Sequence, residues 1–270
     1  MEFVVTLNQY GMILQIFCLV QIAMGCAAAK SGVPTTPRVQ LTEAQRIVAI
    51  WSMAQGSDRV AELAEVRAQL DGKWNPLATA FDPILTDPQF RIHSDERYQV
   101  DAPVTEQNYR GPGGNKRVLR DSSSVRVWYN GTETQDRDVK AAAALAADCY
   151  RMFVLGPVFF QERSARFELK GKENVDGVEC DELSAHIRPG LGFAADDTIE
   201  LAIDRTNHRL VRIRMSPSGW ERTRGKTAEI FLREPTTLGG ITFPTVFHEQ
   251  MQAFLPVAVH DWTLSGFRLK

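Results

Sequence analysis

Two short stretches set a histidine beside a carboxylate: Phe247-His248-Glu249-Gln250 and Val259-His260-Asp261-Trp262. A histidine held by a carboxylate is the working part of many general bases. Both stretches read as β-strand, however, and neighbouring strand residues point to opposite faces, so neither pair forms a dyad within itself. Both read as surface or edge residues. The other histidines, His93, His186 and His208, are scattered, and no HExxH or comparable ligand spacing is present. No metal site is expected. Asp181-Glu182 and Asp196-Asp197 fall near turns, where Asp is common for backbone reasons, whereas a glycosidase needs two carboxylates opposed across a substrate. There is no G-x-S-x-G elbow, and the run from Arg110 to Arg117, RGPGGNKR, lacks the lysine-hydroxyl ending of a phosphate loop and reads as a hairpin tip. The residues thus point away from an enzyme, with no catalytic residue and no cofactor.

Charge narrows the partners. Among 270 residues, 31 basic and 33 acidic side chains leave a net charge of −2, without the basic face that nucleic acid requires. The tryptophans, Trp51, Trp74, Trp128, Trp220 and Trp262, do not interleave with basic residues as a base-stacking surface would. No nucleic-acid partner is expected. Of four cysteines, Cys18 and Cys26 lie in the N-terminal apolar region. Cys149 and Cys180 either pair in an oxidising compartment or serve as small buried apolar residues.

Residues 12–32 carry an uncharged apolar run followed by small residues, as a secretory leader does, too short for a comfortable transmembrane helix. Met1 or Met12 is the start. Cleavage after Ala29 would release a soluble product, whereas Gly25-Cys26 resembles the end of a lipobox and would leave a protein anchored through Cys26. The expected organisation is a leader over 1–29, a Pro/Thr linker over 30–40 and a single domain over 41–270. Its expected location is the periplasm, soluble or held on a membrane as a lipoprotein.

The elements that must position any site follow from patterning. Thr42 can cap a helix running to Gln55, with Ile47, Val48, Ile50, Trp51 and Ala54 as its apolar stripe and Gly56 as its stop. Ser57 or Asp58 caps a second helical stretch, although the residues around Val66 to Trp74 could equally begin a strand. Alternation returns between Gln89 and Gly131, and Asn130-Gly131 marks a hairpin. Good helix formers run from Val139 to the stop at Gly156-Pro157, with Val139, Ala142, Ala146, Cys149 or Tyr150, and Phe153 on one side. From Ala165 onward, strands follow one another through turns too short for parallel crossovers.

Thr198 to Met215, TIELAIDRTNHRLVRIRM, shows what such a sheet needs. Ile199, Leu201 and Ile203, then Val211, Ile213 and Met215, form an oily face, while Glu200, Asp204, Arg212 and Arg214 form a charged one. Each fully buried Ile or Leu is worth roughly 1.5–3 kcal/mol. The oily face therefore needs a partner, which a second sheet, a helix or a ligand could supply.

These residues resemble the LolA-like superfamily of envelope proteins, which includes lipoprotein carriers and lipid-binding lipoproteins. The resemblance rests on the leader, the early helix ending in glycine, YRMFVLGP (150–157), ELKGKENVDGVECDEL (168–183), LAIDRTNHRLVRIRM (201–215) and GGITFPTVFHE (239–249). The order Ile203, Asp204, Thr206, Leu210, Val211 and Arg212 is similar to a strand hairpin of that superfamily. It implies an α+β fold: a strongly curved antiparallel sheet, an incomplete β-barrel, with helices covering its concave face. It also implies a monomeric, non-enzymatic binder whose partner is a lipid acyl chain or a lipoprotein. Phe153, Phe167, Leu169, Ile199, Leu201, Ile203, Val211, Ile213 and Met215 are the expected ligand-lining residues. The alternatives are an envelope interaction or sensor module on the same fold, and an uncharacterised hydrolase.

Overall fold

The protein is described by a computed structural model covering residues 40–252 and 255–270. The expected leader, the linker up to residue 39 and Cys26 lie outside the described residues. Helix α1 (Glu43–Gln55) starts at a reciprocal capping box between Thr42 and Gln45 and ends at Gly56 in the left-handed conformation, φ 77°. A side chain at Gly56 would also strike the Gly240 carbonyl, since a Cβ there would lie 2.2 Å from that oxygen. Short helix α2 (Ser57–Ala61) follows, and the ambiguous segment beyond it is strand β1 (Glu65–Trp74). Two further short helices, α3 (Pro76–Phe81) and α4 (Pro83–Thr86), are built on caps at Asn75 and Asp82 with proline in the first turn.

Next come β2 (His93–Gln99), β3 (Thr105–Gly111), β4 (Gly114–Arg120), β5 (Val125–Tyr129) and β6 (Thr132–Glu133). Asn130 and Gly131, both at positive φ, join the last two. Helix α5 (Arg137–Leu155) and short helix α6 (Pro157–Glu162) separate these from β7 (Arg166–Val175), β8 (Val178–Ile187), β9 (Asp197–Asp204), β10 (Leu210–Met215) and β11 (Thr227–Arg233). After the separate hairpin of β12 (Thr236–Leu238) and β13 (Ile241–Phe243), β14 (Val246–Gln252) and β15 (Val257–Leu269) complete the chain.

Thirteen strands form one antiparallel sheet in the order β6-β5-β4-β3-β2-β1-β15-β14-β11-β10-β9-β8-β7. The pairing of β1 with β15 welds the two halves into one row. This corrects the expectation of a strongly curved, incomplete barrel: the sheet is a single open row, neither closed nor strongly curled. Closure requires the end strands to meet in a shared register. Here β6 has two residues, and β7 interrupts its ladder between Leu169 and Gly171 and carries the exposed charges Glu168, Lys170 and Lys172. Charge and irregularity of that kind keep an edge from pairing further.

Helix α5 is more deeply set than an amphipathic helix with one apolar side, because every residue from Ala141 to Leu155 is buried. Ala143, Ala144 and Ala147 pack on Val118, Val125 and Val127, while Leu145, Cys149, Tyr150 and Phe153 join the main core. Small side chains let the helix approach β4 and β5 closely. The polar groups caught in this burial are paired: Asp148 takes Arg120 and Arg163 at 3.2 and 3.1 Å, and Arg151 binds Glu162 at 2.5 Å and the Gln99 carbonyl at 2.7 Å. Breaking one such pair would strand its partner in a medium of low dielectric.

Of the two readings left open for the cysteines, the structure shows the unpaired one. Cys149 and Cys180 are both free thiols, buried in separate clusters. Cys180 sits three residues before Leu183 on β8, an odd spacing that puts it on the face away from the main core, whereas Cys149 lies within that core.

Candidate functional site

Beneath α3 and α4 lies a largely apolar cavity of about 140 Å³. One wall comes from α5, where Leu145, Ala146, Cys149, Tyr150 and Phe153 fall on a single stripe at helical spacing. The facing wall is Met215 with Ala228 and Ile230 of β11, Met251 of β14 and Val259 of β15. Ala78, Phe81, Leu85 and Thr86 of the two short helices complete it. Those helices bury few residues, and Leu77 and Phe81 on α3 are 58% and 73% exposed. A second cleft of about 120 Å³, lined by Trp51, Leu210, Leu232 and Pro244 among others, shares Phe153 as a wall.

The expected lining residues divide into groups. Phe153 and Met215 stand on the cavity wall. Ile199, Leu201, Ile203 and Ile213 are fully buried in the main core, facing side chains rather than open space. Phe167 packs at the margin of that core, and Leu169 is 40% exposed on the edge strand. Val211 is displaced by a bulge between Leu210 and Arg212: Leu210 faces Ile203, and Val211 joins Val175 and Cys180 in the cluster on the other face, while also touching the second cleft.

Most polar groups along the wall are committed elsewhere. Asp82 caps α4, Thr86 and Thr223 donate to backbone carbonyls, Thr227 meets Ser216 at 2.7 Å, and Gln250 donates to Glu229. Glu249 accepts from the Trp262 indole at 2.6 Å. Arg91 is different. It is buried, lines the cavity, donates to the Leu85 carbonyl and to the Tyr150 hydroxyl at 2.8 Å, and has no partner for Nε. Its guanidinium lies 5.0, 5.5 and 5.6 Å from the ring centres of Trp74, Tyr109 and Tyr150.

Behind Arg91 the interior continues as a polar seam between β2–β4 and α5. Lys116 binds Asp87 at 2.6 Å, and burial pulls its amine down to about 8. Glu96 accepts from Ser94 at 2.5 Å and Tyr98 at 3.2 Å, yet burial pushes its carboxyl up to about 7. The side-chain amide of Gln107 and the hydroxyl of Tyr109 have no hydrogen-bond partner.

The two histidine stretches meet after all, crosswise. In the register of β14 with β15, His248 faces Asp261 and Glu249 faces His260. His248 and Asp261 pair at 2.5 Å on the outer face, where a surface reading holds. His260 corrects that reading: it is 2% exposed, stacked 3.8 Å from the Trp74 ring, with Glu249 3.9 Å away and neither ring nitrogen hydrogen-bonded. Burial lowers its basicity. Each dipeptide by itself was rightly no dyad, and only the strand register, which sequence leaves open, juxtaposes them. Among the described residues, no group of three or more His, Cys, Asp or Glu could hold a metal ion.

The arrangement of sheet and helices matches a solved structure, the LolA superfamily protein NE2245 from Nitrosomonas europaea, at 12% identity over 85% of this chain and 94% of that one, with a TM-score of 0.51. The chain has the LolA-like fold. Weaker matches are a DUF1329 family protein from Desulfovibrio piger (12% identity, 83% and 93% of the chains, TM-score 0.47) and the Mycobacterium tuberculosis lipoprotein LppX (10%, 82% and 94%, 0.27). No family model and no curated protein matches the sequence. Among the described residues, no helix is long and apolar enough to cross a membrane.

Proposed function

We propose that this chain is a non-enzymatic binding protein of the cell envelope that takes an acyl chain, of a lipid or a lipidated protein, into the cavity under α3 and α4. The observation that carries the reading is the apolar wall contributed by the Leu145 to Phe153 stripe, opposite Met215, Ile230 and Met251, with Leu77 and Phe81 exposed on the covering helix. Apolar area removed from water, at roughly 25 cal/mol per Å² before association costs, would drive binding without a cofactor. The ligand-lining role rests on Phe153 and Met215.

Size sets the terms. A cavity of about 150 Å³ is known to hold a benzene ring, so about 140 Å³ accepts a ring or a short run of methylenes. A longer chain requires α3 and α4 to swing away, or Phe153 to turn and open the second cleft. The leader suits an exported protein, soluble or anchored through Cys26.

The test is saturable binding of hexanol to the full chain, followed by calorimetry, with competition from benzene. Ala146→Leu, which fills the wall, is expected to weaken binding at least tenfold, while Leu169→Ala on the far edge leaves it unchanged. No saturable signal, or an Ala146→Leu variant that binds as before, would refute the reading.

A further inference from the structure

We infer that the cavity prefers a ligand whose acyl chain ends in a carboxylate, with Arg91 as the group that receives it. The inference rests on the proposed acyl-binding role and adds the head-group chemistry. Among the described residues, no carboxylate lies within 4.0 Å of the Arg91 guanidinium, although the side chain is buried. The other buried arginines among the described residues behave differently: Arg120, Arg151, Arg163 and Arg212 each hold a carboxylate within that distance.

An interior guanidinium with no carboxylate in contact is costly, because burial penalises charge that is not directly paired, although Asp87, Glu249 and Glu96 act on it from beyond ion-pair distance. The faces of Trp74, Tyr109 and Tyr150 and the Leu85 carbonyl stabilise it in part. None of these uses the planar donor fork as a carboxylate does, by two parallel N–H···O bonds. Among the described residues, Arg91 is also the only buried cation on this wall, which apart from the exposed Lys226 is made of aliphatic and aromatic carbon or of polar groups already bonded. An aliphatic carboxylate fits both halves of that description, tail against Met215, Ile230 and Met251, head against Arg91.

Three other charges face the same space, and Asp82 opposes an entering anion while its Oδ1 accepts from the Leu85 N–H. Glu249 opposes an entering anion, but its Oε1 is held by the Trp262 indole and it stays beyond ion-pair distance of Arg91. Lys226, exposed at the rim, attracts one. Asp82 and Glu249 offset Lys226 and Arg91 in number, so the preference for an anion rests on the open donor of Arg91 rather than on net charge.

Calorimetric titration of the full chain with octanoate, octanol and octylamine at one pH and ionic strength decides the matter. Octanoate is expected to bind at least tenfold more tightly than octanol, and octylamine most weakly. Arg91→Met, which keeps the bulk of the side chain, should erase the octanoate preference while octanol binds as well or better; near-ultraviolet circular dichroism checks that the variant is folded. Equal affinity of wild type for octanoate and octanol overturns the carboxylate assignment and leaves the acyl-binding role standing. Absence of binding by all three overturns the acyl-binding role itself. The wild-type comparison stands whether or not the variant folds.

Discussion

Replacing Glu96 by glutamine tests the electrostatic account of the interior. The carboxyl is 2% exposed on β2, directly opposite Gln107 of β3, with Ser94 and Tyr98 as donors and the charge of Arg91 acting on it across the low-dielectric seam. Burial dominates and lifts its folded-state pKa from 4.5 to about 7. The folded protein therefore keeps a proton that the unfolded chain has already released, and stability falls as pH rises from about 4.5 to about 7. A displacement of that size, at about 1.4 kcal/mol per pH unit, puts about 3 kcal/mol into the fall. Glutamine is neutral throughout and removes it. Urea unfolding of both proteins at pH 5 and pH 8 is the assay, since contributions from Lys116 and His260 are common to both and cancel in the comparison. Relative to wild type, Glu96→Gln should gain about 2–3 kcal/mol between the two pH values, whatever fixed penalty the amide brings. Parallel pH profiles would refute the argument.

Leu201→Ala, in the packed core, should cost about 2–5 kcal/mol, whereas Leu169→Ala on the exposed edge should stay within about 0.5 kcal/mol; urea midpoints compare the two. Phe153→Ala should lower stability by about 3–5 kcal/mol yet lengthen the alkyl chain that binds best, read from a titration series of alcohols, because it joins the two spaces that Phe153 separates. Thr42→Ala should cost about 1 kcal/mol through loss of the α1 cap, measured by thermal unfolding. Cys149 and Cys180 should react with a thiol reagent only in denaturant, since both are buried and burial pushes both thiols up.

The local elements were readable because their signals are local. Thr42, Gln45 and Gly56 bracket α1, and the alanine run from Val139 to the stop at Gly156 marks α5, whose cap at Asp136 and first residues Arg137 and Asp138 lie before that reading. The helices α3 and α4 were missed although Asn75-Pro76 and Asp82-Pro83 are sound starts, because at six and four residues they carry too little periodicity to see. The bulge that displaces Val211 is likewise silent in an unbroken alternating run. Sheet shape was the larger error. Antiparallel neighbours follow from short connections, but whether thirteen strands curl or stay an open row depends on what their two ends do, and β6 and β7 meet nothing further.

The site was less legible for a related reason. Alternation identifies which strand residues are buried, and Ile199, Leu201, Ile203 and Ile213 are, but burial against a neighbour and burial against open space have the same pattern in sequence. What separates them is the helix stripe and the covering α3–α4 pair, neither of which belongs to the hairpin. Arg91 lies in the turn region between α4 and β2, at the start of the stretch that reads as alternating, and nothing in its neighbours Phe90 and Ile92 marks it as an interior residue. Its environment is assembled from Trp74, Tyr109 and Tyr150, residues 17, 18 and 59 positions away. If that aromatic setting alone were the reason for Arg91, a methionine in its place would raise stability and leave ligand choice untouched. A loss of octanoate preference in the folded Arg91→Met protein would instead tie the buried charge to recognition.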